Sequence, residues 1–353
     1  MIFRVLTGLW LVLSAVTTAV AQTPAQIDAI VLDEMTRQDI VGMAVGIVKN
    51  GRVYHARGYG YADLDARVPV TSNTVFRWAS VSTTLTATAV LQLAEQSTDF
   101  SLNDRVSEHV PYWPDDGNKG RIRIWQLLSN RSGIIHYTQK KHCTLNRSPD
   151  YDRRRHASEF YDAMQSVAVF GGQPLCFEPG TGYKYSTFGY SLLAAAVEGA
   201  AGIPYTHWIE HNIRQPLGMS SLRQGTGTRI GFEHERHRTS KVYEGNAAWK
   251  LPGGGWESDI IDLAKFANAL LQGSLLNVTA RLWTRVPGNR TYGFGINHNA
   301  DNSLVWHEGR KDSSRTLMVL YPGSADHLGI VLMTNTLDCN PGRIARRLAD
   351  LVR

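Results

Sequence analysis

A serine at the start of a predicted helix is the residue best placed for chemistry in this sequence. Residues 76–80 form a short apolar entry into a small-residue turn, and apolar side chains then recur at helical spacing at 85, 89, 90 and 93. Ser80 would therefore lie at a helix N-terminus, where free backbone N–H groups and the positive end of the helix dipole point outward. On this stretch alone, a serine that caps a buried helix is the commoner interpretation, and a nucleophile is the other.

The N-terminus has the pattern of a cleavable signal peptide. One positive charge, Arg4, precedes a short apolar run that ends in Ala19-Val20-Ala21. We therefore predict a signal peptide over residues 1–21 and a mature domain over residues 22–353, exported to the periplasm or secreted. An uncleaved membrane anchor is the alternative. No second apolar run is long enough to span a bilayer, so we expect no stable membrane span after cleavage.

Composition sets the size of the core and limits the class of partner. The chain has 353 residues, 43% of them hydrophobic, which suits one large domain or two closely packed subdomains. The formal net charge is +6, and much of the excess lies in clusters at 140–141 and 153–156. Such clusters can bind nucleic acid or an anionic surface, or can be solvated loop. No nucleic-acid motif accompanies them, so we expect no nucleic-acid partner.

The three cysteines are Cys143, Cys176 and Cys339. Export would permit a disulfide, and Cys143 with Cys176 would close a loop, but an odd count leaves one thiol over.

The order of predicted elements favours an α+β fold. Asn50-Gly51 separates two strand-like runs, which is a strong signal for an antiparallel hairpin, and further strands are predicted near the C-terminus at 303–307, 316–321 and 328–333. Residues from about 100 to 250 are mostly helical in pattern. An antiparallel sheet built from both ends of the chain, flanked by helices and with a helical middle lobe, satisfies this order with one core.

Three segments of the chain together resemble one family of serine enzymes. They are Ser80-Val81-Ser82 at the helix start, Tyr185-Ser186 in a lobe turn, and His307-Glu308-Gly309 on a C-terminal strand. Their order and spacing resemble the serine β-lactamase and penicillin-binding family, and are most similar to class C β-lactamases, D-alanyl-D-alanine carboxypeptidases, related esterases and β-lactamase-like proteases. The similarity covers about residues 25 to 350, and it implies the β-lactamase/transpeptidase-like fold.

The resemblance implies a role for each motif position. In the family motif S-x-x-K the serine attacks a carbonyl to form an acyl-enzyme, and the lysine helps to deprotonate it. Here Ser80 holds the serine position and Thr83 the lysine position. Tyr185 holds the place of the tyrosine general base, and Thr187 the place of the motif asparagine.

The third motif implies a substrate-binding strand edge. His307 holds the place of its lysine or histidine, and Gly309 would let substrate lie along the strand. The backbone N–H groups of Ser80 and Arg310 would form the oxyanion hole. Family members usually carry a small residue at the position of Arg310 and a glycine near Ser313, so the substrate edge differs in this chain.

Because Thr83 stands in the lysine position, two hypotheses about function remain open. A threonine cannot carry the positive charge that lowers the pKa of a neighbouring tyrosine. Lys184 could substitute, but it adjoins Tyr185 in sequence, so the two side chains should point apart. One hypothesis is a serine hydrolase with Ser80, Tyr185 and His307 at its site and with activity impaired. The other is an inactive relative that binds peptidoglycan peptides, other peptides or a protein partner.

The resemblance implies a small-molecule or peptide substrate with an ester, amide or lactam carbonyl. It implies no metal or organic cofactor, because the family's chemistry is acyl transfer by side chains. The sequence does not select the substrate or the oligomeric state.

Overall fold

The computed structural model describes residues 23–137, 143, 160–227, 229–235, 238–284, 286, 288 and 291–353. The predicted signal peptide over residues 1–21 and the basic clusters at 140–141 and 153–156 lie outside these residues. Within the described ranges, no helix combines the length and the apolar character that crossing a membrane requires.

The helices and strands follow the predicted order. The α-helices are α1 (23–37), α2 (Ser82–Gln96), α3 (Val106–His109), α4 (Ile124–Leu128), α5 (Ala163–Ala168), α6 (Thr187–Ala201), α7 (Tyr205–Ile209), α8 (Leu251–Gly254), α9 (Ile260–Gln272) and α10 (Pro341–Val352). The strands are β1 (Gly42–Lys49), β2 (Arg52–Asp63), β3 (Val68–Pro69), β4 (Phe76–Arg77), β5 (Arg223–Gln224), β6 (Arg229–Glu235), β7 (Arg238–Glu244), β8 (Trp256–Ser258), β9 (Asn297–His298), β10 (Val305–Lys311), β11 (Ser314–Tyr321) and β12 (Leu328–Thr334).

One antiparallel sheet joins the two ends of the chain. Its seven strands run in the order β3-β2-β1-β12-β11-β10-β9. The first strand pairs with the last, Met43 with Thr334 and Val48 with Gly329. The hairpin between β1 and β2 turns at Asn50 and Gly51, both with positive φ, as the Asn-Gly pair predicts. The predicted α+β fold with a sheet built from both termini is confirmed.

The central strands β1, β12 and β11 of the sheet are buried on both faces. Successive side chains of a strand point to opposite faces, and β1 sends Met43, Val45 and Ile47 into a core shared with α1 and α10. Ala44 and Val48 enter the larger core, which contains α2, α6 and α9. Because both faces carry apolar side chains, all but the last residue of β1 is buried.

The middle lobe is mostly helical but also contains strands. β6 and β7 pair as an antiparallel hairpin from Arg229 to Glu244, so the lobe expected over about 100–250 contains a β-hairpin that the sequence interpretation did not predict. This hairpin packs on the main sheet, where Phe232 N–H donates to the Asn335 carbonyl at 2.7 Å.

A disulfide joins Cys143 to Cys176 with 5.2 Å between their Cα atoms, and Cys339 is a free thiol.

Helix α2 is the centre of the core and is not amphipathic. Every residue from Ser82 to Leu93 is buried. The buried threonines are tolerated because their hydroxyls bond to helix carbonyls, as Thr86 does to Ser82 (3.2 Å) and Thr88 to Thr84 (2.8 Å).

Candidate active site

Ser80 lies where the sequence predicts, at the entrance to α2. It belongs to a 3-10 turn, Ala79–Val81, that leads directly into the helix. Ala79 has a φ of 45°, a left-handed conformation that costs a non-glycine residue about 1–3 kcal/mol. Ser80 is partly exposed, whereas Trp78, Ala79 and Val81 are buried. The strained turn therefore presents Ser80 at the surface of an otherwise buried helix.

Strand β10 runs beside this turn. β9 pairs only with Val305 and Trp306 of β10. Among the described residues, no strand pairs with this edge of β10 after Trp306. A Cβ at Gly309 would lie 2.3 Å from the Trp78 carbonyl oxygen and 3.1 Å from the Ser80 nitrogen. Glycine is thus required for the strand to approach the turn. The oxyanion role of the Ser80 and Arg310 N–H groups stays a prediction that this approach supports.

Thr83 occupies the lysine position and bonds to His307. Its hydroxyl lies 2.7 Å from the Ser80 carbonyl oxygen and 2.9 Å from His307 Nε2. His307 Nδ1 lies 3.0 Å from the Glu308 carbonyl oxygen, which can only accept. We therefore assign the ring proton to Nδ1. His307 Nε2 and the Ser80 carbonyl oxygen are then two acceptors within reach of the single Thr83 hydroxyl proton.

Two tyrosines continue this polar network into the lobe. Tyr292 Oη lies 3.4 Å from His307 Nε2 and 3.2 Å from Tyr190 Oη, and Tyr190 donates to the Leu128 carbonyl at 2.8 Å. Burial lowers the pKa of His307 to about 4, although the bond to Glu308 raises it in part. His307 is therefore neutral at pH 7, and the pair of Thr83 and His307 carries no charge.

Tyr185 faces Ser80 and Thr83. Burial raises the pKa of Tyr185, and the nearby hydroxyls of Ser80 and Thr83 lower it only in part. None of the described residues meets full hydrogen-bond geometry with the buried Tyr185 hydroxyl. The ring lies 6.3 Å from the His307 ring between centroids. The structure thus brings Ser80, Thr83, Tyr185 and His307 together, with Tyr185 in its neutral form.

Neither Thr187, in the place of the motif asparagine, nor Lys184, the candidate substitute for the lysine, supplies the missing charge. Thr187 is the first residue of α6, and its backbone N–H donates to His136 Nδ1 at 3.2 Å. Its side chain is buried against Gly253, where an added Cβ would lie 2.6 Å from Thr187 Cγ2. In the described part of the chain, Lys184 makes no hydrogen bond or ion pair to Ser80 or Tyr185.

Sequence reasoning missed an aromatic group beside Tyr185. The His136 ring lies 5.7 Å from the Tyr185 ring and 4.2 Å from the Tyr137 ring. Buried Lys250 places its ammonium 4.7 Å above the Tyr137 ring, a cation–π contact. The lysine lies within an apolar run that leads to Pro252. This is the sequence feature from which a buried cation could have been predicted here.

The rim beyond Gly309 carries Arg310 and Ser313, the two positions at which the resemblance implies a difference from the family. Arg310 is exposed on β10. Ser313 is buried and bonds to Glu244 through its N–H (3.0 Å) and its hydroxyl (3.2 Å). The turn between β10 and β11 is therefore tied to the end of β7.

The fold places a partly exposed serine at the start of the buried helix and an edge strand beside that serine. This arrangement defines a serine-hydrolase-like protein. A sequence model of the family described as Beta-lactamase matches residues 27–352. The chain therefore belongs to the Beta-lactamase family. Members of this fold family include hydrolases and amidases.

Two curated relatives show the range of the similarity. Protein flp of Staphylococcus aureus (strain MRSA252) is 27% identical over 328 residues, which are 88% of this chain and 62% of that protein. The human serine beta-lactamase-like protein LACTB, mitochondrial, is 29% identical over 295 residues, which are 66% of this chain and 53% of that protein. The chain thus spans less than two thirds of the length of these relatives.

Solved structures share the fold over nearly the whole chain. EstCE1, a hydrolase with promiscuous acyltransferase activity, has a TM-score of 0.75 at 22% identity and covers 95% of this chain and 99% of its own. The D-amino acid amidase of Ochrobactrum anthropi has a TM-score of 0.75 at 21% identity, with 94% and 98% covered. At these identities the likeness shows the fold alone.

Proposed function

We propose that this protein is an exported serine hydrolase that forms an acyl-enzyme on Ser80 and acts slowly, because Thr83 replaces the motif lysine. The observation that carries the proposal is the 2.9 Å contact between Thr83 and the acceptor nitrogen of His307. It gives the site a neutral base, reached through a hydroxyl, in place of an ammonium group. Tyr185 lies close to the hydroxyls of both Ser80 and Thr83, so it can connect the nucleophile to this base.

The proposed proton path runs from Ser80 to Tyr185, from Tyr185 to Thr83, and from Thr83 to His307 Nε2. As Ser80 Oγ bonds to the substrate carbonyl carbon, each hydroxyl passes on one proton and His307 becomes an imidazolium. The N–H groups of Ser80 and Arg310 stabilise the resulting oxyanion. When the intermediate collapses, the bond to the leaving group breaks and the proton returns along the path to that group. Water then hydrolyses the acyl-enzyme by the same steps.

The chemistry of this site favours activated substrates. A histidine whose pKa is lowered to about 4 is a weak base at pH 7, and general-base catalysis is most effective when the pKa of the base lies near the working pH. We therefore expect esters with good leaving groups to react faster than peptide amides or β-lactams. The amidase and esterase relatives support an ester or amide carbonyl as the substrate class.

The test compares hydrolysis of 4-nitrophenyl butyrate, a D-amino acid amide and nitrocefin by the wild-type protein. Ester hydrolysis should exceed the other two, and Ser80→Ala should abolish it. Tyr185→Phe removes one hydroxyl and should lower the rate strongly while the protein stays folded. Ester turnover that survives in Ser80→Ala would contradict the proposal.

A non-catalytic family member that binds cell-wall peptides, other peptides or a partner protein is the second candidate function. The altered positions Thr83 and Thr187 favour it, because neither side chain supplies the charge or the amide of the family motif. This candidate predicts saturable peptide binding, no ester turnover, and no gain or loss of binding in Ser80→Ala.

A further inference from the structure

The guanidinium of Arg310 is a cation without a counter-charge among the described residues. Arg310 is exposed on β10 and follows Gly309, where an added Cβ would lie 3.1 Å from the Ser80 nitrogen. No residue in the described part of the chain forms a hydrogen bond or an ion pair with the Arg310 side chain. An accessible charge therefore lies beside the Ser80 turn.

The charges next to Arg310 do not neutralise it. Arg315 lies directly opposite Arg310 in the register of β10 and β11, and like charges at directly opposed positions of a sheet repel each other. The two carboxylates of β10 and its turn already have cations, because Glu308 pairs with Arg315 and Asp312 pairs with Lys311. This end of the strand thus carries an excess positive charge.

The backbone of Arg310 faces the free edge of β10. Lys311 and Ser314 close a two-residue turn, and residues that close such a turn direct their N–H and C=O groups at each other. Because this direction alternates along an antiparallel strand, Arg310 directs its own N–H and C=O groups away from β11. No strand among the described residues covers this edge after Trp306. An extended substrate can therefore pair with it as an added strand.

The Arg310 side chain would then lie beside the residue whose carbonyl Ser80 attacks. Two residues that exchange N–H and C=O groups across an antiparallel pair carry their side chains on the same face, with Cβ atoms about 4.5–5.5 Å apart. A substrate whose scissile carbonyl accepts the Arg310 N–H therefore places the side chain of its acyl residue next to the guanidinium. A D-residue would instead direct its side chain to the opposite face, the face of His307.

We propose that Arg310 selects substrates whose acyl residue is an acidic L-residue, glutamate or aspartate. The proposal rests on the proposed function, because it assigns specificity to the same Ser80 site. Guanidinium and carboxylate groups form paired, charge-assisted hydrogen bonds. An acidic side chain would supply the counter-charge that β10 and its turn do not, and it would offset the repulsion between Arg310 and Arg315.

The test compares kcat/KM for the α-phenyl esters of N-Boc-L-glutamate and N-Boc-L-glutamine, a carboxylate and its neutral carboxamide analogue. Exposed ion pairs contribute modestly, so the glutamate ester should be favoured about three- to fivefold at low ionic strength. The preference should shrink at high salt, because salt screens exposed charges. The corresponding esters of the D-amino acids should show no preference for glutamate.

Three variants assign the preference to one side chain. Arg310→Gln should bring the ratio of the two L-esters close to one. Arg310→Glu should favour the N-Boc-L-lysine ester over the glutamine ester. Lys184→Gln is the matched control, because it removes a cation next to Tyr185 in the sequence and should leave the glutamate-to-glutamine ratio unchanged.

A failure of the proposed function can be told apart from a failure of this inference. If neither ester is hydrolysed, the proposed function fails, and NMR titration of the two L-esters then measures their affinities directly. The glutamate ester should still bind more tightly, and Arg310→Gln should remove the difference. Equal kcat/KM values for the two L-esters, equal affinities where there is no turnover, or a glutamate preference that survives in Arg310→Gln would overturn the inference.

Discussion

Thr83→Val tests the proposed proton path with the smallest change in shape. Valine keeps the branched side chain and removes the hydroxyl that lies 2.9 Å from His307 Nε2. Loss of general-base catalysis typically costs ~10²–10⁴-fold. Because burial lowers the pKa of His307 to about 4, this base is weak, and we expect the lower limit. The expected loss in kcat/KM for 4-nitrophenyl butyrate is about 10²-fold, or about 2.7 kcal/mol.

The matched control is Thr84→Val. Thr84 is also buried in α2, and its hydroxyl donates to the Gly295 carbonyl at 2.7 Å, with no bond to His307. Both variants remove one buried hydroxyl from neighbouring positions, so both should cost similar stability in urea unfolding. Only Thr83→Val should lose activity. Equal kcat/KM values for the two variants would show that the Thr83 hydroxyl does not carry the proton.

Three further predictions concern the charge, the pH response and the disulfide. Thr83→Lys should raise ester turnover, because a lysine cation lowers the pKa of Tyr185; no gain in kcat/KM would locate the defect at the Arg310 edge. The pKa of His307 falls from 6.5 to about 4 on folding, so the unfolded chain binds the proton more tightly and stability is lost as pH falls from 6.5 to 4. His307→Gln should therefore reduce the drop in unfolding free energy between pH 7 and pH 4 by about 3 kcal/mol. Reduction of the disulfide between Cys143 and Cys176 should lower that free energy by about 2–4 kcal/mol, and a melting temperature unchanged by reductant would contradict this.

Local sequence signals predicted the frame of the site. The Asn50-Gly51 turn specified the first hairpin, and the small-residue turn before α2 specified the place of Ser80. These predictions succeeded because turn chemistry and apolar spacing act within a few residues. The meeting of Ser80, Tyr185 and His307 in one cleft came from the family resemblance and not from any local pattern.

The parts that sequence could not predict depend on contacts between distant segments. The bond between Thr83 and His307 joins residues 224 positions apart, and it gives a threonine in the lysine position a hydrogen-bond partner. Gly253 lies in the short helix α8, where a Cβ would lie 3.1 Å from Thr187 Cα, a contact between segments far apart in the sequence. Every residue of α2 from Ser82 to Leu93 is buried, and its threonines bond to distant segments as well as to helix carbonyls, as Thr84 does to the Gly295 carbonyl.

The most direct test of the account is the intact mass of the protein after long incubation with a fluorophosphonate, followed by peptide mapping. We predict a slow, single adduct on Ser80, which is absent in Ser80→Ala and formed more rapidly in Thr83→Lys. The absence of any adduct on wild-type Ser80 would contradict the claim that this site still forms an acyl-enzyme.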